Sequence, residues 1–298
     1  MVNGLYDATS GRVVIVRGRR VQPSHVSSHI MSNPRSLLRH TMQLIPGLRP
    51  VNRVKAQPVD ASMLCVPIET PAGGCVTDFR SVSEWDPASR AAIRRNHSNA
   101  DCRPVLLGEF LDEEHHRIYP QPWIIGRFRA EFLLSQELAP THRVLDLGCG
   151  AGRVGVWIIQ ALDAGRYCGI DRHLRSLLAF AAYEMRLFGL AAKKPRLLLD
   201  AEFRFEHFQQ KFDAVTDIWV TRHMTDERFH QAYASLRTVL VPGGRVFVSG
   251  LLPERLGVIQ SLGYCLLCEQ CIDYPLHVGQ DRHEHGDYWH IFGLGAEH

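Results

Sequence analysis

Residues 144–152 read Val-Leu-Asp-Leu-Gly-Cys-Gly-Ala-Gly. No other stretch restricts the fold of this chain as strongly. A short apolar strand ends in an acid and runs into glycines at three alternate positions, and a helical pattern follows over Arg153–Ala164. Glycine accepts positive φ and lacks a Cβ, so the backbone can turn tightly and approach a ligand. The unpaired N–H groups of the helix start then face the turn. A strand, a glycine turn and a helix in this order build a cradle for a cofactor.

The glycines alone leave two readings. Gly150, Gly152 and Gly155 satisfy the dinucleotide fingerprint, and Asp171 lies near the distance of a ribose-binding acid. Other features tilt the choice. Asp146 stands where a dinucleotide site usually has an apolar residue, and the motif begins far from the N-terminus. Tyr167-Cys168-Gly169-Ile170-Asp171 reads as a second strand ending in an acid, and Leu197-Leu198-Leu199-Asp200-Ala201 as a third. Phe212–Asp217 reads as a fourth, and Pro242-Gly243-Gly244 as the turn that enters a later strand.

In this order the motifs resemble the class I S-adenosylmethionine-dependent methyltransferases, over roughly residues 120–295. The resemblance implies an α/β, Rossmann-like fold: a seven-stranded, mostly parallel sheet with helices on both faces, ending in an antiparallel hairpin. The alternation of strands and helices implies the same class of sheet. Ligands in such sheets bind beyond the carboxyl ends of the strands, where all of these motifs fall. The expected division is an N-terminal extension over 1–115, serving as a cap or as a substrate or dimerisation region, and a cofactor-binding domain over 116–298.

The resemblance also assigns roles. S-adenosyl-L-methionine is the expected cofactor. Gly148, Cys149, Gly150 and Gly152 would close on its methionine part and Asp146 would meet its ammonium group. Asp171 would take both ribose hydroxyls, with Arg172 beside it, and Asp200 and Ala201 would meet the adenine. Tyr119, Trp123 and Arg127, before and within the entry helix, would cover the sulfonium or contact the methionine carboxylate. Asp217 would sit near the sulfonium, and His223 would remove a proton from an acceptor hydroxyl, since imidazole titrates near neutrality. The helix-capping and turn roles of these same acids stay open on the sequence alone.

Bulk properties add limits. No run approaches 18 apolar residues, so no membrane span is expected. The start lacks the layout of a secretory signal, which fits a cytoplasmic protein with reduced thiols. Residues 1–110 hold 14 Lys+Arg against 8 Asp+Glu, and the remainder 20 against 23. That basic excess could face an anionic substrate, RNA or lipid head groups, but beyond Arg17-Gly18-Arg19-Arg20 it is not densely clustered and reads first as a solvated surface. Cys265, Cys268 and Cys271 lie in a strand-like stretch whose alternation turns the middle thiol away from the other two. His283, Glu284, His285 and His290 read as a polar loop and its flank, so no metal is expected. The expected function is methyl transfer to a small molecule, with oxygen preferred over nitrogen or carbon. The alternatives are an RNA or protein methyltransferase, or a non-catalytic cofactor-binding subunit. A nucleic-acid or membrane partner is not expected, and a homodimer stays open.

Overall fold

The computed structural model describes residues 2–7, 12–17, 61–77, 122–273 and 286–295. The chain divides into two compact units, Met1–Leu48 and Arg49–His298. In the first, β1 (Val2–Asp7) and β2 (Arg12–Arg17) pair as an antiparallel hairpin. The alternation over Gly11–Val21 reads as a strand or hairpin, and β2 falls within it; Arg35–Leu44 and Ser81–Arg95, which read as helices, lie outside the described residues.

The second unit holds β3 (Ile68–Glu69), α1 (Pro122–Ser135), β4 (Val144–Leu147), α2 (Gly155–Ala161) and β5 (Tyr167–Asp171). Then comes α3, which starts as Leu174–Leu178, loosens into a π-helical stretch over Ala179–Glu184 and ends as Met185–Leu187. After it come β6 (Arg196–Leu199), β7 (Phe212–Ile218), α4 (Asp226–Val239), β8 (Leu240–Ser249), α5 (Leu256–Ser261), β9 (Tyr264–Asp273) and β10 (Gly286–Leu294). The sheet order is β3-β6-β5-β4-β7-β8-β10-β9, with β10 antiparallel to both of its neighbours.

The sheet has eight strands where seven are expected. The extra one is β3, which comes from within the stretch expected to be an extension and pairs in parallel with Leu197 and Leu198. Its side chains explain the attachment. The Glu69 carboxylate accepts from Arg196 Nε at 2.8 Å and Nη2 at 2.6 Å, and lies 2.9 Å from His207 Nε2. Burial opposes its charge, yet these partners hold the Glu69 carboxyl below its ordinary value. A second departure concerns Pro242-Gly243-Gly244, expected as the turn into a strand. The strand instead begins at Leu240 and the tripeptide bulges out within it: Phe212 pairs with Leu240 but Ala214 with Arg245. Gly243 at φ +77° makes that excursion possible.

Strand alternation sorts the core into two layers. Val144, Leu197, Ala214 and Trp289 face α1, α2 and α3; Leu145, Leu147, Ile170, Val215 and Val248 face α4 and α5. α4 opens with Thr225 as its N-cap, accepting from Arg228 N, and buries Phe229, Tyr233 and Leu236. On the other side Arg129 of α1 meets Asp287 of β10. Arg129 Nη2 donates to Asp287 Oδ1 at 2.9 Å and Nε pairs with Oδ2, both side chains being almost fully buried. Removing one member of such a pair strands the other charge away from water. Asp287→Ala is therefore expected to lower the unfolding free energy by about 3 kcal/mol in urea titrations; a loss below about 1 kcal/mol would mean the pair does not hold the α1–β10 junction.

Candidate active site

The turn after β4 adopts the conformation its glycines allow. Gly148, Gly150 and Gly152 have φ of +64°, +54° and +80°. A Cβ on Gly148 would come within 2.4 Å of Val220, and one on Gly152 within 2.2 Å of Phe180. Phe180 belongs to the π-helical stretch of α3, so that irregularity brings a ring against the turn. From the other side α1 touches the chain just past the turn: a Cβ on Gly126 would strike the Arg153 carbonyl at 2.1 Å. Nothing in the sequence pattern marks Gly126 for this role.

Three acids stand at adjacent strand tips around the turn. Asp171, ending β5, accepts from Gly150 N at 2.8 Å through Oδ2 and from His173 N at 2.8 Å through Oδ1. Each oxygen keeps acceptor capacity, so the carboxylate that fixes the turn can also receive two neighbouring hydroxyls. Asp146, in β4, accepts from the Tyr167 hydroxyl at 2.6 Å and the Thr216 hydroxyl at 2.8 Å. It thus ties β5, β4 and β7 together below the turn. Burial, reinforced by Asp171 and Asp217, pushes its carboxyl up to about 6 against the pull of those two hydroxyls. Asp217 is fully buried. Its carboxylate accepts from Val220 N at 3.3 Å, Thr221 N at 3.1 Å, Tyr233 Oη at 2.9 Å and the Thr221 hydroxyl. It anchors the loop after β7, and burial raises its proton affinity.

Asp200, at the end of β6, is buried and accepts from Arg204 N at 2.8 Å and from its guanidinium. Burial works to raise its carboxyl, but Arg204 holds it below the ordinary value. The Ala201 carbonyl accepts from Arg228 at 2.5 Å. The Cys149 thiol is buried in the turn and pushed well up by that burial. Arg172 is exposed, its Nε donating to His173 Nε2 at 3.1 Å. His223 lies exposed on a short 3₁₀ turn, Thr221–His223, where partial desolvation first and then the Arg222 and Arg172 charges lower its proton affinity.

The structure therefore gathers Asp146, Gly148, Cys149, Gly150, Gly152, Asp171, Arg172, Asp200, Ala201, Asp217 and His223 at one end of the sheet. Arg127 is exposed on α1, paired with Glu131 at 2.7 Å and 5.8 Å from the Trp157 ring. Trp123 falls in the first turn of α1, and Tyr119 lies outside the described residues. Sequence reasoning missed Arg255, which clamps the loop after β7 from behind. It donates to the carbonyls of Thr221 and, at 2.6 Å, Met224. Of the three cysteines of β9, Cys265 and Cys271 are exposed and Cys268 is partly buried. Among the described residues no cluster of His, Cys, Asp and Glu could hold a metal, and no helix is long and apolar enough to cross a membrane. His283–His285 lie outside them.

These residues fit S-adenosylmethionine. The turn has no room for side chains, and Asp171 keeps two free acceptor positions beside it. A raised carboxyl at Asp146 also makes a stability prediction. The folded state holds that proton more tightly than the unfolded chain, so the contribution is largest below pH 4 and is lost as pH rises through about 6. Asp146→Asn removes the effect, so the variant is expected to gain about 1 kcal/mol on the natural chain between pH 5 and pH 7.5 in urea unfolding. An equal difference at both pH values would show that Asp146 does not titrate in this range.

Comparisons with known proteins agree with this geometry. A family model described as a methyltransferase domain matches residues 145–246. The methyltransferase GfsG of Streptomyces halstedii is 28% identical over 155 residues, which cover 50% of this chain and 54% of that protein. The chain thus spans about half the length of the curated relative it matches. Among solved structures, magnesium protoporphyrin IX methyltransferase from Synechocystis PCC 6803 aligns over 72% of this chain and 99% of its own, at 13% identity and a TM-score of 0.46. The glycopeptide N-methyltransferase MtfA aligns over 57% of this chain and 94% of its own, at 13% identity and a TM-score of 0.45. The methyltransferase-domain match falls on the stretch that holds the glycine turn and the row of strand-tip acids, and S-adenosyl-L-methionine is the cofactor that these residues fit.

Proposed function

We propose that the protein transfers a methyl group to a hydroxyl of a small-molecule acceptor. The observation that carries this reading is the pairing of the Asp171-braced glycine turn with His223 on the loop facing it. When bound, S-adenosylmethionine supplies an electrophilic methyl group on a positively charged sulfur. Gly148, Cys149, Gly150 and Gly152 would hold its methionine part, Asp171 and Arg172 its ribose, and Asp200 and Ala201 its adenine. Asp146 and Asp217 act on the site from below: one locks the strands and the other fixes the loop that carries His223. Tyr119, Trp123 and Arg127 would cover the cofactor from the entry helix and the residues before it.

The protein's task is then to orient the acceptor, exclude water and take its proton. His223 suits the last step. Partial desolvation and the two arginines favour its neutral form, so at neutral pH the imidazole is ready to accept a proton. An oxygen acceptor needs such a base more than a neutral amine does, because an amine can attack with its proton still on.

Calorimetry with S-adenosylhomocysteine tests the cofactor assignment; absence of binding at millimolar ligand defeats it. For turnover, the expected result is incorporation of labelled methyl from S-adenosylmethionine into a member of a panel of phenols and alcohols. His223→Ala is expected to lower kcat by about a hundredfold or more with S-adenosylhomocysteine affinity unchanged. Because its proton affinity is depressed, activity of the natural chain should hold at neutral pH and fall only below the ordinary histidine value of 6.5. An alanine variant with full activity and the same pH profile removes His223 from the mechanism.

A further inference from the structure

The chain turns sharply at Trp219, directly after β7, with φ +63°. A bulky side chain takes that conformation only where its surroundings enforce it. Here they do so on three sides. Trp219 N donates to the Ser249 carbonyl at 2.9 Å. The indole Nε1–H donates at 3.1 Å to Asp287 Oδ1, the carboxylate already gripped by Arg129. Gly250 lies against the ring so closely that a Cβ there would sit 2.9 Å from it. The indole is thus a fixed plate, and the Arg222 guanidinium lies over it, 4.4 Å from the ring centroid.

Arg222 stands out among the arginines of this end of the sheet. Arg204 pairs with Asp200, Arg228 with Glu202 and Arg255 with Asp226. Arg222, half-buried, has no carboxylate partner among the described residues, and neither has Arg172. A guanidinium stacked on an aromatic face keeps its in-plane N–H groups for bidentate bonding. That geometry matches a carboxylate or a phosphate. Arg222 also neighbours His223 on the same 3₁₀ turn, so an anion held there would lie beside the proposed base. Asp146, Asp171 and Asp217 crowd the strand tips, whereas the loop after β7 presents Arg222 without a carboxylate partner among the described residues.

We infer that Arg222, braced on Trp219, is an anion-binding position that takes a carboxylate or phosphate substituent of the acceptor. The word acceptor rests on the transferase reading above. Trp219 is a positioning residue that aims the guanidinium. One carboxylate could also come from the amino-acid part of the cofactor, and the test separates the two sources.

The full-length chain, saturated with S-adenosylhomocysteine, is titrated calorimetrically with benzoate and with uncharged benzamide. Benzoate is expected to bind roughly ten times more tightly than benzamide. Arg222→Gln is expected to abolish that preference and Arg222→Lys to recover part of it, with S-adenosylhomocysteine affinity unchanged in both. The substituted side chain lies on a loop, so circular dichroism should match that of the natural protein. Equal benzoate affinity for the natural chain and Arg222→Gln, or no benzoate binding to either, overturns the proposal. So does a tenfold loss of S-adenosylhomocysteine affinity in Arg222→Gln with 5′-methylthioadenosine unaffected, because the carboxylate would then be the cofactor's own. Failure of S-adenosylhomocysteine to bind the natural chain sinks the transferase reading instead, and the benzoate preference is then read on the chain alone.

Discussion

The buried carboxylate of Asp146 is the constraint on which the site depends. Parallel strands are joined by backbone hydrogen bonds that say little about side-chain position. Asp146 adds a cross-tie in the plane of the site, accepting from Tyr167 on one neighbouring strand and Thr216 on the other. The glycine turn begins two residues later, so its starting point is fixed relative to three strands at once. Burying this acid beside Asp171 and Asp217 is unfavourable, and its raised proton affinity records that. The same crowding of acids creates a negative field at the strand tips. A ligand with a positive sulfur and an ammonium group would be favoured by that field.

The loop after β7 is the second half of the site, and it is held from both sides. Asp217 draws in its backbone N–H groups and the Thr221 hydroxyl, while Arg255 takes the carbonyls of Thr221 and Met224. Val220 fills the space a side chain on Gly148 would need. The loop and the turn therefore fit each other because one lacks a Cβ and the other supplies a branched side chain. His223 inherits its position from this packing, and Arg222 adds its own stacking on Trp219.

Much of this architecture is legible in the sequence because its signals are local. The alternation in β4 to β7 and the acids at their ends follow from a period of two and a strand-to-turn boundary. Helical spacing likewise places α1 and α4. What escapes is long-range or conformational. β3 joins the sheet through Glu69 meeting Arg196, residues 127 positions apart, and two residues of strand carry no periodicity. The bulge at Pro242-Gly243-Gly244 looks like an ordinary turn because its register is set by β7 and not by its own residues. Asp217 reads as a site acid from its place in the motif, yet its carboxylate is engaged by Thr221 and Tyr233, partners that no spacing rule pairs with it. Arg129 and Asp287, 158 residues apart, give no sign of each other in the sequence.

That last pair links the two ends of the described domain to the chemistry between them. Arg129 lies on the helix that enters the domain, and Asp287 on the strand that closes it. Desolvating both charges is costly, and an apolar pair of similar volume would often serve stability as well. Stability alone therefore explains little of the arrangement. A carboxylate does one thing an apolar residue cannot: it accepts the indole N–H of Trp219. Trp219 in turn sits in a left-handed conformation, supports Arg222 and precedes His223 by four residues. The buried ion pair thus sets the direction in which the loop after β7 leaves the sheet, and with it the positions of Arg222 and His223.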